Sequence, residues 1–225
     1  MKLNANFDLK YFIEIIPTLI KYINTTLSLS VISMAIGLVL ALILQVIRMY
    51  KIKGLNSLAK IYVSFFRGTP LLVQLFLLYY GLPQIMPMFK TMNAYSAAIL
   101  GLSLNSSAYM AEVYRAAISS IDKGQMEAAL SVGMTHWQGM KRIVMPQALR
   151  TAVPSLGNVF IDLIKGSSLA FTLGLVEILA QAKMSAAASY KFFESYLAVA
   201  IIYWIIIVAF NYLQSILENK MNKAC

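Results

Sequence analysis

The chain has 225 residues, and its composition excludes an ordinary soluble domain: 60% of the residues are hydrophobic, only 12% are charged, and the mean hydropathy is +0.71. Soluble domains are usually about 45–50% apolar and about 25% charged. The formal net charge of +10 does not indicate nucleic-acid binding, because the basic residues are scattered between long uncharged runs and form no single basic face. The composition therefore predicts an integral membrane protein.

Apolar runs of about 20 residues, the length that crosses a bilayer as a helix, occur five times along the chain. Pro83 and Pro87 are expected to end the second helix near Gly81, and Asp162 and Lys165 interrupt the fourth run without removing its apolar character. We therefore predict an all-α integral membrane fold with five transmembrane helices in a single domain, 1–225. The predicted spans are residues 22–47, 62–81, 91–111, 151–176 and 196–217.

The loop charges predict the orientation of these spans. The basic loop set, defined as residues 48–60, 112–150 and 218–225, carries 11 Lys and Arg, against 6 in the remaining loops. Cytoplasmic loops normally carry the excess of Lys and Arg. We therefore expect the N-terminus outside and the C-terminus in the cytoplasm. The outer loop set consists of residues 1–21, 83–93 and 177–195.

The long cytoplasmic loop 112–150 contains signals for a short helix that ends in a tight turn. Asp122 with Gln125 three residues later is typical of an N-cap pair, and the good helix formers that follow predict a helix at 125–132. Gly133 is then suited to the left-handed conformation that ends many helices. The pattern favours an ordered helical segment over a slack polar loop.

A second short helix is predicted directly after that turn. Thr135 with Gln138 forms the pattern of a capping box, and Pro146 is expected to end or kink this helix and to push Met145 towards extended geometry. The loop would then present a compact knob, which packs either on its own membrane domain or on a partner. Large apolar residues near the turn are Met126, Leu130 and Trp137.

The same loop resembles a known family signature. It matches the pattern EAA-x3-G-x9-I-x-L-P, with Met145 where leucine is usual, through Glu127, Ala128, Ala129, Gly133, Ile143 and Pro146. This pattern is similar to that of the membrane subunits of ABC importers. Three other stretches resemble the polar amino acid branch, and the likeness covers about residues 18–218. They are FFRGTPLLVQLF (65–76), LNSSAYMAEVYRAAISSIDKGQ (104–125) and PSLGNVFIDLIKGSSLAFTLGLVEI (154–178).

The resemblance implies a type I ABC importer permease in a bacterial cytoplasmic (inner) membrane, in which the 125–132 helix is the coupling helix. It implies several partners: ABC ATPase subunits, an extracellular or periplasmic substrate-binding protein, and a second permease copy or homologue. The stretches GTPLLVQLFLLYYGLPQ and AAISSIDKGQ most resemble members that import L-cystine. Glu127 is expected either to pair with a basic residue of the ATPase or to favour the helix N-terminal half through the dipole.

The residues themselves indicate that this chain is not an enzyme. It contains no Gly-Lys dipeptide and hence no phosphate-binding loop of the G-x-x-x-x-G-K-[ST] type, so ATP and magnesium are expected on the partner ATPase and no cofactor here. A metal site is not expected, because His136 is the only histidine and Cys225 the only cysteine.

Ionisable residues within a span are costly and mark a pathway or a partner. Asp162 and Lys165 are three apart on one predicted helix, so they either neutralise each other or bind the ammonium and carboxylate groups of an amino acid. Asn105, Ser106 and Ser107 on the third span are further candidates for hydrogen bonds to substrate. This pair is also the one feature that favours the alternative function, a secondary transporter driven by an ion gradient.

Three further charged residues lie near the predicted membrane boundaries. Arg67, at the start of the second span, is expected to be a snorkelling cytoplasmic anchor. Glu112 and Arg115, at positions i and i+3, are expected to form an exposed pair on the helix surface.

Overall fold

The computed structural model describes residues 7–222, which contain α-helices, short π and 3-10 helices, and no β-strand. Cys225 lies outside the described residues. The α-helices are α1 (Leu9–Ile20), α2 (Ile23–Met49), α3 (Leu55–Gly68), α4 (Leu71–Phe76), α5 (Leu82–Ile85), α6 (Ala94–Ser119), α7 (Lys123–Ser131), α8 (His136–Gly139), α9 (Met145–Gly166), α10 (Ile178–Ser189) and α11 (Phe192–Asn222). The π-helical turns are Leu77–Gly81 and Met140–Val144, and the 3-10 helices are Pro87–Phe89 and Ser167–Leu173.

Within residues 7–222, three segments are long and apolar enough to cross a membrane, and α3 with Leu71–Ile85 makes a fourth if the two are counted together. The remaining predicted span, 91–111, coincides with the 26-residue α6. Its serines and asparagine lower its apolar character, so the five-span count remains a prediction. The three segments are Ile23–Met49, His136–Leu173 and Phe192–Met221.

The second predicted span, 62–81, is not one continuous helix. α3 ends at Gly68, and Thr69 is extended, with φ −120° and ψ 148°. The cause is local: the ring of Pro70 clashes with a helical residue before it and favours extended geometry there. The prediction of an uninterrupted helix across these residues was wrong.

The expected end of that helix near Gly81 was also wrong. The helical path continues through the π turn Leu77–Gly81 into α5 and ends at Ile85. Pro83 lies in the first turn of α5. The proline closely follows the π turn, so its missing N–H falls where the hydrogen-bond register of the helix changes.

Pro146 likewise lies within a continuous helical segment. Met145 has φ −61° and ψ −41°, which is helical and not the extended geometry that we predicted. The π turn Met140–Val144 precedes it directly. Pro146 therefore lies where the hydrogen-bond register of the helix changes, which allows a residue without an N–H to be accommodated.

The chain divides into two compact units. The first unit is Met1–Ser33, Leu71–Leu102 and Leu163–Phe210. The second unit is Met34–Pro70, Ser103–Asp162 and Asn211–Cys225.

In the first unit, α1, α10 and α11 pack around an apolar core. Alanines at several core positions allow the helices to approach closely, as small residues do between membrane helices. The buried members are Ile15, Leu19, Ile178, Ala182, Ala198, Val199 and Ile202.

A buried carboxylate organises the start of α10. Glu177 is fully buried and is the N-cap of this helix. Its two oxygens accept hydrogen bonds from the backbone N–H groups of Leu179 at 2.9 Å and Ala180 at 2.7 Å. The Tyr203 hydroxyl of α11 donates to the same carboxylate at 2.9 Å. The cap therefore joins α10 to α11.

The beginning of α1 is fixed to the segment before α11. Asp8 caps α1 by accepting from the Tyr11 N–H at 2.9 Å, and it also accepts from the Lys191 ammonium at 2.5 Å. The Asp8 N–H donates to Glu194 Oε1 at 2.9 Å. The hydrogen bonds from Lys191 and from the Tyr11 N–H hold the pKa of Asp8 below its ordinary value.

In the second unit, small and polar side chains bring α2, α3 and α6 close together. A Cβ added at Gly37 of α2 would lie 2.7 Å from Ser106 Oγ of α6. The Tyr62 hydroxyl of α3 donates to the Leu104 carbonyl at 2.9 Å and lies 2.8 Å from Ser107 Oγ. Ser106 and Ser107 therefore lie where α6 packs closely against α2 and α3.

Candidate functional site

The predicted helix in the loop 112–150 is present as α7, Lys123–Ser131, with bounds close to the predicted 125–132. Asp122 is its N-cap, as predicted, and its Oδ1 accepts from the Gly124 N–H at 2.6 Å. α6 itself continues to Ser119, so only a few residues separate the two helices.

The turn after α7 has the predicted conformation. Gly133 has φ +84°, a left-handed value that strains residues with a Cβ. Its N–H donates to the Leu130 carbonyl at 3.0 Å, and the Met134 N–H donates to the Ala129 carbonyl at 3.1 Å. These two bonds define a Schellman motif, which stops the helix at a fixed point.

The second helix begins with the predicted capping box. Gln138 N–H donates to Thr135 Oγ1 at 3.2 Å, and Thr135 N–H donates to Gln138 Oε1 at 2.8 Å. Sequence reasoning missed Gly139, where an added Cβ would lie 2.8 Å from Met126 Sδ and 3.2 Å from Ala129 Cβ. α7 and α8 are therefore packed tightly through this glycine.

A glutamine pair connects α7 to α9. Gln147 Nε2 donates to the Ile143 carbonyl at 2.9 Å and also approaches Gln125 Oε1 at 3.4 Å. Ile143 is half-buried and Pro146 is exposed. The motif residues after the turn thus belong to the helix that supports α7.

Three large apolar side chains of this helix–turn–helix are exposed. The exposed fractions are 45% for Leu130, 74% for Val132 and 62% for Trp137. Glu127 and Ala128 are exposed beside them, whereas Ala129 is buried against α8. We call Leu130, Val132 and Trp137 the knob surface. Large exposed apolar side chains on an ordered element are typical of a docking site for another protein.

The candidate path residues on α6 make hydrogen bonds within the second unit. Asn105 Nδ2 donates to the Phe66 carbonyl at 3.1 Å, near the end of α3. Ser106 is buried and donates to the Ser103 carbonyl at 3.3 Å. The structure thus gives both residues partners in their own chain.

The other two candidates, Asp162 and Lys165, are exposed one turn apart on α9. The two carry opposite charges, as a zwitterionic ligand requires.

The sequence predicted only part of a charged cluster that lies in the second unit. Glu112 accepts from Arg115 Nε at 2.8 Å, as predicted, but also from Arg48 Nη1 of α2 at 2.6 Å. Its side chain is 18% exposed, so the prediction of an exposed pair was wrong for Glu112, whereas Arg115 is 50% exposed. Arg67 lies 3.9 Å from the same carboxylate and over the ring of Tyr109 at 5.6 Å.

The sequence profile of the binding-protein-dependent transport system inner membrane components matches residues 37–223, most of the chain. The chain belongs to this family. Its helical architecture, with capped helices around the glycine turn of the EAA-type motif, is accordingly a type I ABC permease fold, and the permease is an integral inner membrane protein.

Individual relatives agree with this assignment. The permease is 55% identical to the probable amino-acid ABC transporter permease protein PatM of Vibrio harveyi, over 97% of this chain and 98% of the relative. It is 38% identical to the L-cystine transport system permease protein TcyL of Bacillus subtilis (strain 168), over 96% and 92%. The crystal structure of an amino acid ABC transporter with histidines matches with a TM-score of 0.88 at 36% identity, over 96% of this chain and 100% of that one. Amino acid ABC transporter permeases are thus similar to this chain over nearly its whole length.

Proposed function

We propose that the permease is the transmembrane subunit of an ATP-driven importer, that it forms the path for a polar amino acid, and that α7 transmits the motion of a separate ATPase to it. The observation that carries this proposal is the knob surface. It is exposed and apolar, yet its helices are fixed by two N-caps and a Schellman turn. A rigid element can transmit force, whereas a slack loop would absorb it.

The proposed coupling residues are those of the EAA-type motif, each with a physical task. Glu127 and Ala128 face outward beside the knob surface, and Ala129 packs inward. Gly133 permits the turn. Ile143 and Pro146 lie in the helix that carries the motion towards the membrane spans.

The proposed topology has five spans, with the N-terminus outside and the C-terminus in the cytoplasm. The chain passes between the two units after residues 33, 70, 102, 162 and 210, and each passage falls within one predicted span. Within residues 7–222, the basic loop set belongs to the second unit and the outer loop set belongs to the first. This grouping supports the orientation that the loop charges predict.

The proposed assembly contains a second permease copy or homologue, two ATPase subunits and a substrate-binding protein, in a bacterial inner membrane. ATP and magnesium would bind to the ATPase subunits, because this chain has no phosphate-binding loop. ATP-driven closure of the ATPases would then move the α7 helices and switch the path between its outward and inward openings.

Asp162, Lys165, Asn105 and Ser106 are the proposed contacts to the substrate path. The position of Asp162 and Lys165 on a predicted span supports their role, because ionisable residues within a span mark a pathway or a partner. L-cystine is the proposed substrate. The similarity to TcyL and the stretches at 68–84 and 116–125 support it.

Reconstitution tests these proposals together. The permease, its ATPase and its binding protein would be placed in proteoliposomes, and uptake of L-cystine, arginine, glutamine and histidine measured with and without ATP. We expect ATP-dependent uptake with L-cystine preferred. Preferred uptake of another amino acid would change the proposed substrate and leave the proposed mechanism intact. Uptake that follows an ion gradient without ATP would overturn the ABC mechanism in favour of secondary transport.

A further inference from the structure

A basic cavity lies in the second unit beside the ends of α2, α3 and α6, with a volume of about 320 Å³. Among the described residues, its lining includes no acidic side chain. Arg48 and Arg115 share the carboxylate of Glu112, which lies outside the lining. The basic side chains that line it are Arg48, Lys51, Lys60 and Arg115.

The two lysines give this cavity its unbalanced charge. Neither Lys51 nor Lys60 forms an ion pair within residues 7–222, and both are exposed. With one carboxylate against two arginines and two lysines, the cluster carries a net charge of +3. The cavity is therefore suited to an anion.

An apolar cavity of about 230 Å³ lies in the same unit, between α2, α6 and α9. Gln45 and Ile118 line both cavities, so the basic and the apolar cavity are neighbours. Apart from Gln45 and the Tyr114 hydroxyl, its lining is hydrocarbon and thioether. The other lining residues are Leu42, Ala117, Met145, Ala148, Leu149 and Ala152.

We propose that these two neighbouring cavities together bind one anionic phospholipid. Its phosphate would lie near Lys51 and Lys60, and the first part of an acyl chain would lie along Ile118 and Leu149. Basic pockets between membrane helices on the cytoplasmic side bind anionic headgroups, and a soluble phosphate would leave the apolar cavity without a role. The assignment to the cytoplasmic leaflet rests on the proposed topology.

The test is native mass spectrometry of the full-length permease in complex with its ATPase, titrated with phosphatidylglycerol or with phosphatidylcholine of the same chain length. We expect phosphatidylglycerol to bind at least about tenfold more tightly, since each basic residue near an anionic headgroup contributes about fivefold. Equal binding of the two lipids would overturn the proposal. Lipid binding to the isolated permease but not to its complex with the ATPase would show that the ATPase covers the site, and this would also overturn the proposal.

Three variants locate the site. Lys51→Gln/Lys60→Gln should weaken phosphatidylglycerol binding by about tenfold or more. The matched control, Lys53→Gln/Lys220→Gln, makes the same charge change at exposed lysines outside both cavities and should leave binding within about twofold. Equal losses of phosphatidylglycerol binding in both double variants would mean that the overall positive charge attracts the lipid, and this would overturn the proposed site.

The third variant, Leu149→Asn, puts a polar group into the apolar cavity at a position that is 47% exposed and so tolerates it. It should weaken lipid binding but leave glycerol 3-phosphate binding unchanged. If glycerol 3-phosphate binds as tightly as the lipid, the ligand is a soluble phosphate and the lipid proposal fails. These are binding measurements, so a failure of amino acid uptake would affect the proposed function and not this result.

Discussion

Arg48 Nη1 lies 2.6 Å from Glu112 Oε1, and this ion pair joins α2 to α6 across 64 positions of the sequence. The two side chains are only 17% and 18% exposed. Arg115 donates to the second oxygen of the same carboxylate at 2.8 Å. One half-buried glutamate thus holds two arginines beside the basic cavity.

Glu112→Gln should destabilise the permease by about 1–3 kcal/mol, because it leaves a partly buried guanidinium without its counter-charge. Thermal unfolding in detergent, followed by intrinsic fluorescence, measures this effect. Glu14→Gln is the matched control: it breaks an exposed pair with Lys10, whose side chains are 86% and 63% exposed. Exposed pairs contribute little, so equal shifts for the two variants would contradict the structural role of Glu112.

The same carboxylate should make stability depend on pH. Burial alone raises the pKa of Glu112, but hydrogen bonds and charge from Arg48 and Arg115 outweigh it, and the pKa lies below the ordinary 4.5. A carboxylate with a depressed folded-state pKa stabilises the fold above its unfolded pKa and loses this as the pH falls through the folded value. The unfolding temperature should therefore decline more below about pH 4.5 in the wild type than in Glu112→Gln. Parallel pH profiles would contradict this.

Glu177→Ala should destabilise the first unit by about 2–3 kcal/mol. It removes the acceptor of two backbone N–H groups, one buried and one partly buried, and of the Tyr203 hydroxyl. Each buried group left unpaired costs about 1–3 kcal/mol. Tyr203→Phe, which removes only one donor, should cost less. Thermal unfolding of both variants gives the order, and an equal or larger effect of Tyr203→Phe would argue against the cap as the main contribution.

Gly133 tests the coupling role of the turn. Gly133→Asn should retain most transport, since asparagine tolerates left-handed backbone, whereas Gly133→Pro fixes φ near −65° and cannot form the turn. We expect Gly133→Pro to abolish ATP-driven uptake and substrate-stimulated ATP hydrolysis in proteoliposomes. Unaltered transport in Gly133→Pro would show that α7 does not transmit force.

The knob surface should contribute to ATPase binding and little to folding. Leu130→Ala/Trp137→Ala should weaken binding of the ATPase at least about tenfold, because exposed aromatic and aliphatic anchors dominate protein interfaces. The unfolding temperature should change little. The matched control is Phe193→Ala, an exposed aromatic of the first unit at 69% exposure, which should leave ATPase affinity unchanged. Affinity can be measured by microscale thermophoresis.

Local patterns in the sequence predicted the parts of the molecule that neighbouring residues control. Asp122, Gly133 and the Thr135–Gln138 box behave as predicted because a cap or a left-handed turn depends on two to four consecutive residues. The apolar runs predicted α2 and α11 because a long apolar segment in a bilayer pairs its own backbone hydrogen-bonding groups by forming a helix.

Other features depended on residues far apart in the chain, and only the tertiary structure decided them. The sequence shows Glu112 beside Arg115 but not beside Arg48. The sequence around Glu177 does not predict its hydrogen bond from the Tyr203 hydroxyl, which lies 26 positions later. The two cavities that share Gln45 and Ile118 exist only because α2, α6 and α9 are brought together. The sequence by itself determined the membrane class, the family resemblance, and the caps and left-handed turn around α7. Tertiary packing decided which buried charged residues form ion pairs and hydrogen bonds, because these depend on contacts between distant segments.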